Sequence, residues 1–254
     1  MQASFKKVEF AEIRDEARTH LAGLPNAFDS YRESYVLGSN HYRITVNGQN
    51  AGFASIHDQS LITQFAVDEP FRHLAQALFA TLKRTERVQF AYVPSGDEFF
   101  LAHALDEHRT LATQAYFFSA RAEIVAIPPE FRQVRSTLAD AARIRDISGD
   151  FLDPIEERIG RDELFLTMKG DDLAGFGIRE VSALYDDVAS IGMFTLPDRR
   201  GGGVGTATIA LLAADTRRLG RRPVAGCWYY NHASKRTLER AGFAATSRLL
   251  KIGF

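Results

Sequence analysis

The chain has 254 residues, of which 45% are hydrophobic and 25% charged, and its formal net charge is −1. This composition is typical of a globular protein, and the near-neutral charge excludes a general electrostatic attraction to nucleic acid or to an anionic membrane. No apolar run reaches the length of a membrane span, the charged N-terminus lacks a signal peptide's apolar core, and a single cysteine excludes an intrachain disulfide, so we predict a cytoplasmic protein.

The histidines give no sign of a metal site. His103 and His108 are the closest pair among the seven, and their spacing of five does not put two ligands on one helix face. We therefore predict no metal. A serine hydrolase is also disfavoured, because the sequence contains no G-x-S-x-G motif.

In the first half, a strand–strand–helix unit starts at Asn50 with "NAGFASIHDQSLITQFAVDEPFRHLAQALFATLKR". Two alternating strands are followed by Pro70, Arg72 and a helical stretch rich in Ala and Leu. Further on, "AIPPEF" at residues 126–131 carries two adjacent prolines, which suit a linker.

The second half reads as helices at both ends of a run of strands. The predicted order is helix "STLADAARIRDIS", helix "DPIEERIG", strand "LFLTM", turn "KGDD", strand "LAGFGIREV", strand "VASIGMFTL", a glycine turn, a helix from about Gly203 to Leu219, strand "RPVAGCWYY", helix "NHASKRTLERAGF" and strand "TSRLLKIGF". This order predicts an α+β fold with a mixed sheet.

The two halves repeat the same pattern. Each contains A-G-F, an alternating strand, a second strand, then a proline and an arginine before an Ala- and Leu-rich helix; Pro70 corresponds to Pro197 and Arg72 to Arg200. We therefore predict two tandem domains, residues 1–127 and 128–254. Each is expected to be a mixed, mostly antiparallel sheet flanked by helices.

The glycine turn is the strongest candidate for a binding site. "RRGGGVGTA" runs from Arg199 to Ala207 and leads directly into a predicted helix. The first N–H groups of a helix lack partners and the helix dipole favours an anion there, while glycines let the backbone approach a ligand. The spacing fits neither the dinucleotide fingerprint nor the P-loop. A phosphate site of another kind and a plain connecting loop both remain open on the glycines alone.

The order of elements and two motifs resemble the GNAT superfamily of N-acetyltransferases. Arg200 to Gly205 match that family's [QR]-x-x-G-x-[GA] signature, after a strand that ends near Pro197. The second motif is a helix start of the form Asn-x-x-[SA], here Asn231 to Ser234, with Gly-Phe about twelve residues past the asparagine. The resemblance covers residues 130–254 well and survives in residues 1–127 only as the repeat.

The resemblance implies that acetyl-CoA is the acyl donor. By this likeness the glycine turn binds the pyrophosphate through backbone N–H groups, and the pantetheine arm lies between two splayed strands. The residues expected to bind the cofactor are Met193, Phe194, Thr195, Arg200, Gly201, Gly202, Gly203, Val204, Gly205, Thr206, Asn231 and Ser234.

Two catalytic positions of the family are changed in this sequence. The family's frequent general acid, a tyrosine seven residues after the helix-start asparagine, is Leu238 here, and a glutamate that some members carry five residues before that asparagine is Gly226. The phenols nearest in sequence are Tyr229 and Tyr230, and we predict Tyr230, with Tyr229 as the second candidate, as proton donor. His232 is a further candidate for the proton donor.

Two functions therefore compete on the sequence. In the first, the protein transfers an acetyl group from acetyl-CoA to an amine of a small molecule or peptide by direct attack. In the second, it is a catalytically silent sensor of acyl-CoA. The equivalent turn of the first half, residues 72–77, contains no glycine, so we expect that half to bind no CoA. Neither the acceptor nor the oligomeric state can be read from the sequence.

Overall fold

One order of secondary structure occurs twice along the chain. The computed structural model describes residues 2–122 and 125–254, and in these ranges each half contains six strands and four α-helices. In the first half they are β1 (Ala3–Val8), α1 (Phe10–Ala22), α2 (Ser30–Leu37), β2 (Asn40–Val46), β3 (Gln49–His57), β4 (Leu61–Val67), α3 (Ala75–Thr85), β5 (Phe90–Pro94), α4 (Glu98–Leu105) and β6 (Thr110–Ala120). In the second half they are β7 (Phe131–Arg135), α5 (Ala141–Ser148), α6 (Ile155–Gly160), β8 (Leu164–Lys169), β9 (Asp172–Val181), β10 (Val188–Thr195), α7 (Val204–Arg218), β11 (Arg222–Trp228), α8 (His232–Arg240) and β12 (Phe243–Gly253).

All twelve strands of the described chain belong to a single sheet. Their order is β1-β2-β3-β4-β5-β12-β6-β11-β10-β9-β8-β7. The pairs β4–β5 and β10–β11 are parallel, and the other neighbouring strands are antiparallel. The predicted fold class, a mixed and mostly antiparallel α+β arrangement, is confirmed.

The two halves exchange their last strands. Strand β12 of the second half pairs with β5 of the first, and β6 of the first half pairs with β11 of the second. The two exchanged strands also pair with each other over most of their length. Each half therefore completes the other's sheet. A domain boundary between residues 127 and 128 stays a prediction, because the hydrogen bonds of the sheet cross it.

The A-G-F repeat marks the same irregularity in both halves. Gly52 and Gly175 each sit at a register shift, between β2 and β3 and between β8 and β9. A Cβ on Gly52 would collide with the carbonyl oxygen of Ala66, and one on Gly175 would lie 2.5 Å from the carbonyl oxygen of Phe194. Glycine is thus required where the neighbouring strand approaches the bulge closely.

The elements predicted for the second half are confirmed, with three differences: β7 was not predicted, β11 ends at Trp228 before the two tyrosines, and the first helix starts differently. The stretch predicted as one helix begins with a 3₁₀ turn, Leu138–Asp140, before α5. The backbone N–H of Thr137 donates a 2.8 Å hydrogen bond to the Asp140 carboxylate, and the Thr137 side chain accepts from the backbone N–H of Asp140. This reciprocal bonding is a capping box, which fixes the start of the turn.

The helices cover the sheet with apolar side chains. In the first half, Phe65 of β4 packs against Phe79 of α3 and Phe100 of α4. In the second half, Ile209 and Leu212 of α7 are completely buried in a cluster beneath the sheet. None of the helices described is both long and apolar enough to cross a membrane.

Candidate active site

The parallel strands β10 and β11 separate soon after they begin to pair. Their pairing runs from Val188 opposite Arg222 to Ser190 opposite Val224 and then stops, while the other edge of β10 stays paired with β9 as far as Thr195. Backbone groups of β10 past Ser190 therefore face a gap instead of a partner strand. This gap, which we call the second split, lies between the two strands that the resemblance implied would be splayed.

A cavity of about 560 Å³ occupies the second split. Its walls come from β10, β11, α7 and α8 of the second half, and also from α2 and β6 of the first half. Among the predicted cofactor residues, Met193, Asn231 and Ser234 line it. Tyr31 lines it as well, although no motif of the sequence singled out that residue.

The glycine turn forms an open, uncapped helix start. A 3₁₀ turn over Pro197–Arg199 ends at Arg200, and both Gly201 and Gly203 then take left-handed backbone angles, with φ of +80° and +79°. Gly203 is the N-cap of α7, and no side chain caps that helix. A Cβ at Gly201 or Gly203 would meet no atom within 4 Å. The turn therefore has room and free N–H groups for an anion such as a pyrophosphate.

Gly205 is required for a different reason. A Cβ there would lie 3.0 Å from Thr237 Cγ2, 3.1 Å from Met193 Sδ and 3.2 Å from Thr195 Oγ1. These are tighter than ordinary van der Waals contacts. The absence of a side chain at Gly205 lets α7 pack closely against β10 and α8 just behind the turn.

The start of α8 borders the cavity with polar and apolar side chains. Asn231 is the N-cap, and its Oδ1 accepts a hydrogen bond of 3.0 Å from the backbone N–H of Ser234. Leu238, at the family's usual tyrosine position, lines the cavity and is only 2% exposed. Burial raises the pKa of the Cys227 thiol to about 11, so this cavity residue stays protonated at neutral pH.

The two tyrosines predicted as proton donors lie outside the cavity walls. Tyr229 stacks on Tyr116 with ring centroids 4.9 Å apart, and it packs against the core cluster of the second half. Tyr230 is 59% exposed and packs edge-on against Trp228, at 5.1 Å. Trp228 does line the cavity, so Tyr230 is one residue layer away from it. Its role in proton donation stays a prediction.

A carboxylate from the first half fills the space beside Gly226. Asp29, the N-cap of α2, lines the cavity, and its Cγ is 2.6 Å from where a Cβ on Gly226 would lie. Burial raises the pKa of Asp29 to about 6. The sequence offered one clue to this arrangement, the glycine at a position where family members carry a glutamate, but no clue to which residue replaces it.

Helix α2 is fixed to the second half by its own polar side chains. Ser30 donates a 2.5 Å hydrogen bond to Glu180 of β9, and Glu33 accepts hydrogen bonds from the hydroxyl of Ser182 and, at 2.6 Å, from the backbone N–H of Ala183. Hydrogen bonds to charged groups are among the stronger ones in proteins. The position of Asp29 in the cavity is therefore set by contacts on both sides of the repeat.

The equivalent gap of the first half, the first split, is closed by Arg32. Strands β4 and β5 pair only at Leu61–Phe90 and Ile62–Ala91 and then separate. The Arg32 guanidinium, on a side chain only 1% exposed, donates hydrogen bonds to the carbonyl oxygens of Thr63 and Tyr92, one on each strand. It thereby takes the place that a ligand's polar groups would need.

The turn beside the first split also differs from the glycine turn. A 3₁₀ helix over Glu69–Leu74 continues directly into α3, and the N–H of Ala75 donates to the carbonyl of Arg72. The helix start is an ordinary αR residue, Leu74, in place of a left-handed glycine. The first N–H groups of α3 are thus partly used within the chain, so this turn is a poor anion site.

Comparison with known proteins identifies the fold. The family model described as "Acetyltransferase (GNAT) domain" matches residues 9–121, in the half where the sequence showed only the repeat. An acetyltransferase of the GNAT family from Colwellia psychrerythraea is 16% identical over 100% of both chains, with a TM-score of 0.88. No curated protein matches the sequence.

Two further solved structures share the architecture of the whole chain. A tandem GNAT protein from the clavulanic acid biosynthesis pathway has a TM-score of 0.64 at 14% identity, over 99% of this chain and 98% of its own. A GCN5-related N-acetyltransferase from Sphaerobacter thermophilus has a TM-score of 0.68 at 13% identity, over 98% of this chain and 94% of its own.

The comparisons define the fold: the chain has the tandem GNAT fold, with two similar halves joined by exchanged strands. Within this fold, one split of the chain is open and the other is filled by Arg32.

Proposed function

We propose that the protein transfers an acetyl group from acetyl-CoA to an amine, in the cavity of the second split. The observation that carries this proposal is the continuity of the site. The glycine turn with free helix N–H groups, the unpaired edge of β10 and the 560 Å³ cavity lie in one half of the molecule, beside the same strand.

Each part of the donor has a matching part of the chain. The N–H groups at the start of α7 would hold the pyrophosphate, and the backbone of Met193, Phe194 and Thr195 would bond the pantetheine as a neighbouring strand does. Asn231 would contact the same arm from α8. When bound, the donor supplies a thioester, whose thiolate is a fair leaving group. Holding amine and thioester together supplies much of the rate.

The acceptor reaches the thioester from the side formed by α2. Tyr31 and Asp29 of that helix, with Phe151 opposite, give this end of the cavity aromatic walls and one carboxyl group. A primary amine carried as its ammonium ion suits such surroundings, because the carboxylate attracts the charge and the rings pack against the attached carbon chain. We keep a small molecule or a peptide N-terminus as the proposed acceptor, and the cytoplasm as the proposed location.

Three tyrosines are candidates for the proton donor, two from the sequence and one from the structure. Tyr230, with Tyr229 after it, is the proposal from the sequence. Tyr31 joins them because its phenol lines the cavity, and burial raises its pKa so that it keeps its proton. Leu238 cannot serve, and Cys227 with its raised pKa is not a nucleophile at neutral pH.

Two assays on the full chain test the function. Calorimetry with CoA and with acetyl-CoA should show binding, and a thiol-release assay with acetyl-CoA and a panel of primary amines should show turnover of at least one amine. Binding without turnover on the whole panel would favour the silent acyl-CoA sensor. Absence of binding would refute both functions.

A further inference from the structure

We infer that Asp29, carried by the first half, is the general base of the acetyl transfer in the second half. This inference rests on the proposed function. The first half, whose own split is closed, would then contribute a catalytic group to its neighbour. The repeat would be functional because α2 reaches from one split to the other.

The position of Asp29 carries the inference. One carboxyl oxygen, Oδ1, accepts a 3.1 Å hydrogen bond from the backbone N–H of Arg32, as an N-cap does. The other, Oδ2, is directed at Gly226 of β11, so close that any side chain there would collide with it. Asp29 is 9% exposed and lines the cavity. The carboxyl group thus stands where a side chain from residue 226 would project.

The surroundings give this carboxyl the basicity that a general base requires. Burial is the largest influence and raises the pKa of Asp29 to about 6; Glu180 of β9 raises it further, and the hydrogen bond and charge of Arg32 oppose the rise. Cys227 on β11 and Tyr31 on α2 also face it, and burial raises the pKa of both, so they are neutral in the range where Asp29 titrates. At pH 7 the group is mostly ionised and still able to take a proton.

The step balances without another reactant. The Asp29 carboxylate takes one proton from the acceptor's ammonium group, and the freed amine nitrogen forms its bond to the acetyl carbon as the C–S bond of the thioester breaks. The departing sulfur takes its proton from the donor phenol proposed above, and the second proton of the nitrogen returns to that phenol. Asp29 then releases its proton to water, which restores the carboxylate.

The test is the pH dependence of kcat/KM for acetyl-CoA in the presence of a primary amine. Benzylamine, tyramine, lysine and a tripeptide are compared first, and the amine with the highest turnover is used. The wild type should rise through about pH 6 and then level off below the amine's own pKa. Asp29→Asn should lose at least a hundredfold at pH 7.5 and lose the limb near pH 6, with CoA affinity within twofold. The ratio of the two profiles cancels the ionisation of the amine.

Asp97→Asn is the matched control, because it makes the same change at another buried N-cap aspartate of the first half, that of α4, and Asp97 does not line the cavity. It should keep kcat/KM within threefold and keep the pH 6 limb. A second variant pair restores the carboxyl from the other strand: Asp29→Ala with Gly226→Glu should recover at least tenfold over Asp29→Ala alone. This pair also serves if Asp29→Asn does not fold.

The outcomes separate the two proposals. A wild type that acetylates an amine, with Asp29→Asn within tenfold and the limb intact, would overturn the role of Asp29 and leave the acetyl transfer standing. A wild type that binds CoA and acetylates none of the four amines would overturn the proposed function, and the inference with it.

Discussion

The two splits of this molecule have the same strand arrangement but different contents. Both lie between parallel strands that pair briefly and then separate. The first split contains the buried guanidinium of Arg32, whereas the second contains a cavity. The same short helix, α2, closes one split with Arg32 and supplies Asp29 to the other. Two residues three apart on this helix thus lie in different splits, and we propose that this difference decides which split holds a ligand.

The turns beside the splits differ in the same sense. In the second half, left-handed glycines interrupt the chain before α7, so that the helix starts afresh with free N–H groups. In the first half, a 3₁₀ helix runs into α3 without interruption. The glycine-free turn and the Arg32 side chain in the split would be two independent obstacles to cofactor binding. Removing one of them should not restore the first site.

The largest expected effect is on stability, from Arg32→Ala. The change leaves a cavity and two strand carbonyls without their donor, and we expect a loss of about 3–5 kcal/mol in the free energy of unfolding. Urea denaturation measures it. Arg14→Ala, at an exposed position of α1, should change stability by less than about 0.5 kcal/mol. Arg32→Ala should still bind one CoA per chain; a second bound CoA would show that Arg32 alone closes the first split.

Next in size is a gain of stability from Asp29→Asn. Since the pKa of Asp29 is raised to about 6 in the folded chain, the contribution of this group is complete below about pH 4 and is lost as the pH rises through 6. Asparagine also caps a helix and never ionises. The variant should match the wild type at pH 4 and exceed it by about 2–3 kcal/mol at pH 8, in urea denaturation at both values. Equal stability of the variant and the wild type at pH 8 would mean that folding does not raise the pKa of Asp29.

The third effect is on cofactor binding, from Gly203→Glu. A negative side chain at the N-cap of α7, on a residue with φ of +79°, should oppose the pyrophosphate and weaken CoA binding by about 2 kcal/mol or more. Calorimetry gives the value. The matched change His73→Glu, on the exposed turn of the first half, should leave the affinity unchanged. Wild-type affinity in Gly203→Glu would refute the pyrophosphate site.

The smallest effect concerns the proton donor. Tyr31→Phe, Tyr229→Phe and Tyr230→Phe each remove one phenol, and kcat is compared with the same amine and saturating acetyl-CoA. We expect the largest loss, about tenfold, for Tyr31→Phe, because this phenol lines the cavity. An equal or larger loss for Tyr230→Phe would assign the donor to Tyr230. Losses below threefold in all three would mean that water protonates the sulfur.

The sequence was informative where the determinants are local. Left-handed glycines, an Asn231 cap and alternating strands leave a pattern within a few residues, and the helices and strands of the second half were predicted from it, except for β7. The exchange of β6 and β12 was not predictable, because either strand would satisfy the same alternation beside either neighbour. Asp29 was not predicted as a site residue for a similar reason, because its neighbour Gly226 lies far along the chain, in the other half.

The most direct test of the account is a crystal structure of the full chain with CoA. The account predicts one CoA per chain, with its pyrophosphate at the N–H groups of Gly203 to Thr206 and its pantetheine between β10 and β11, while Arg32 still bonds the carbonyls of Thr63 and Tyr92. A CoA bound between β4 and β5, with Arg32 displaced, would contradict it.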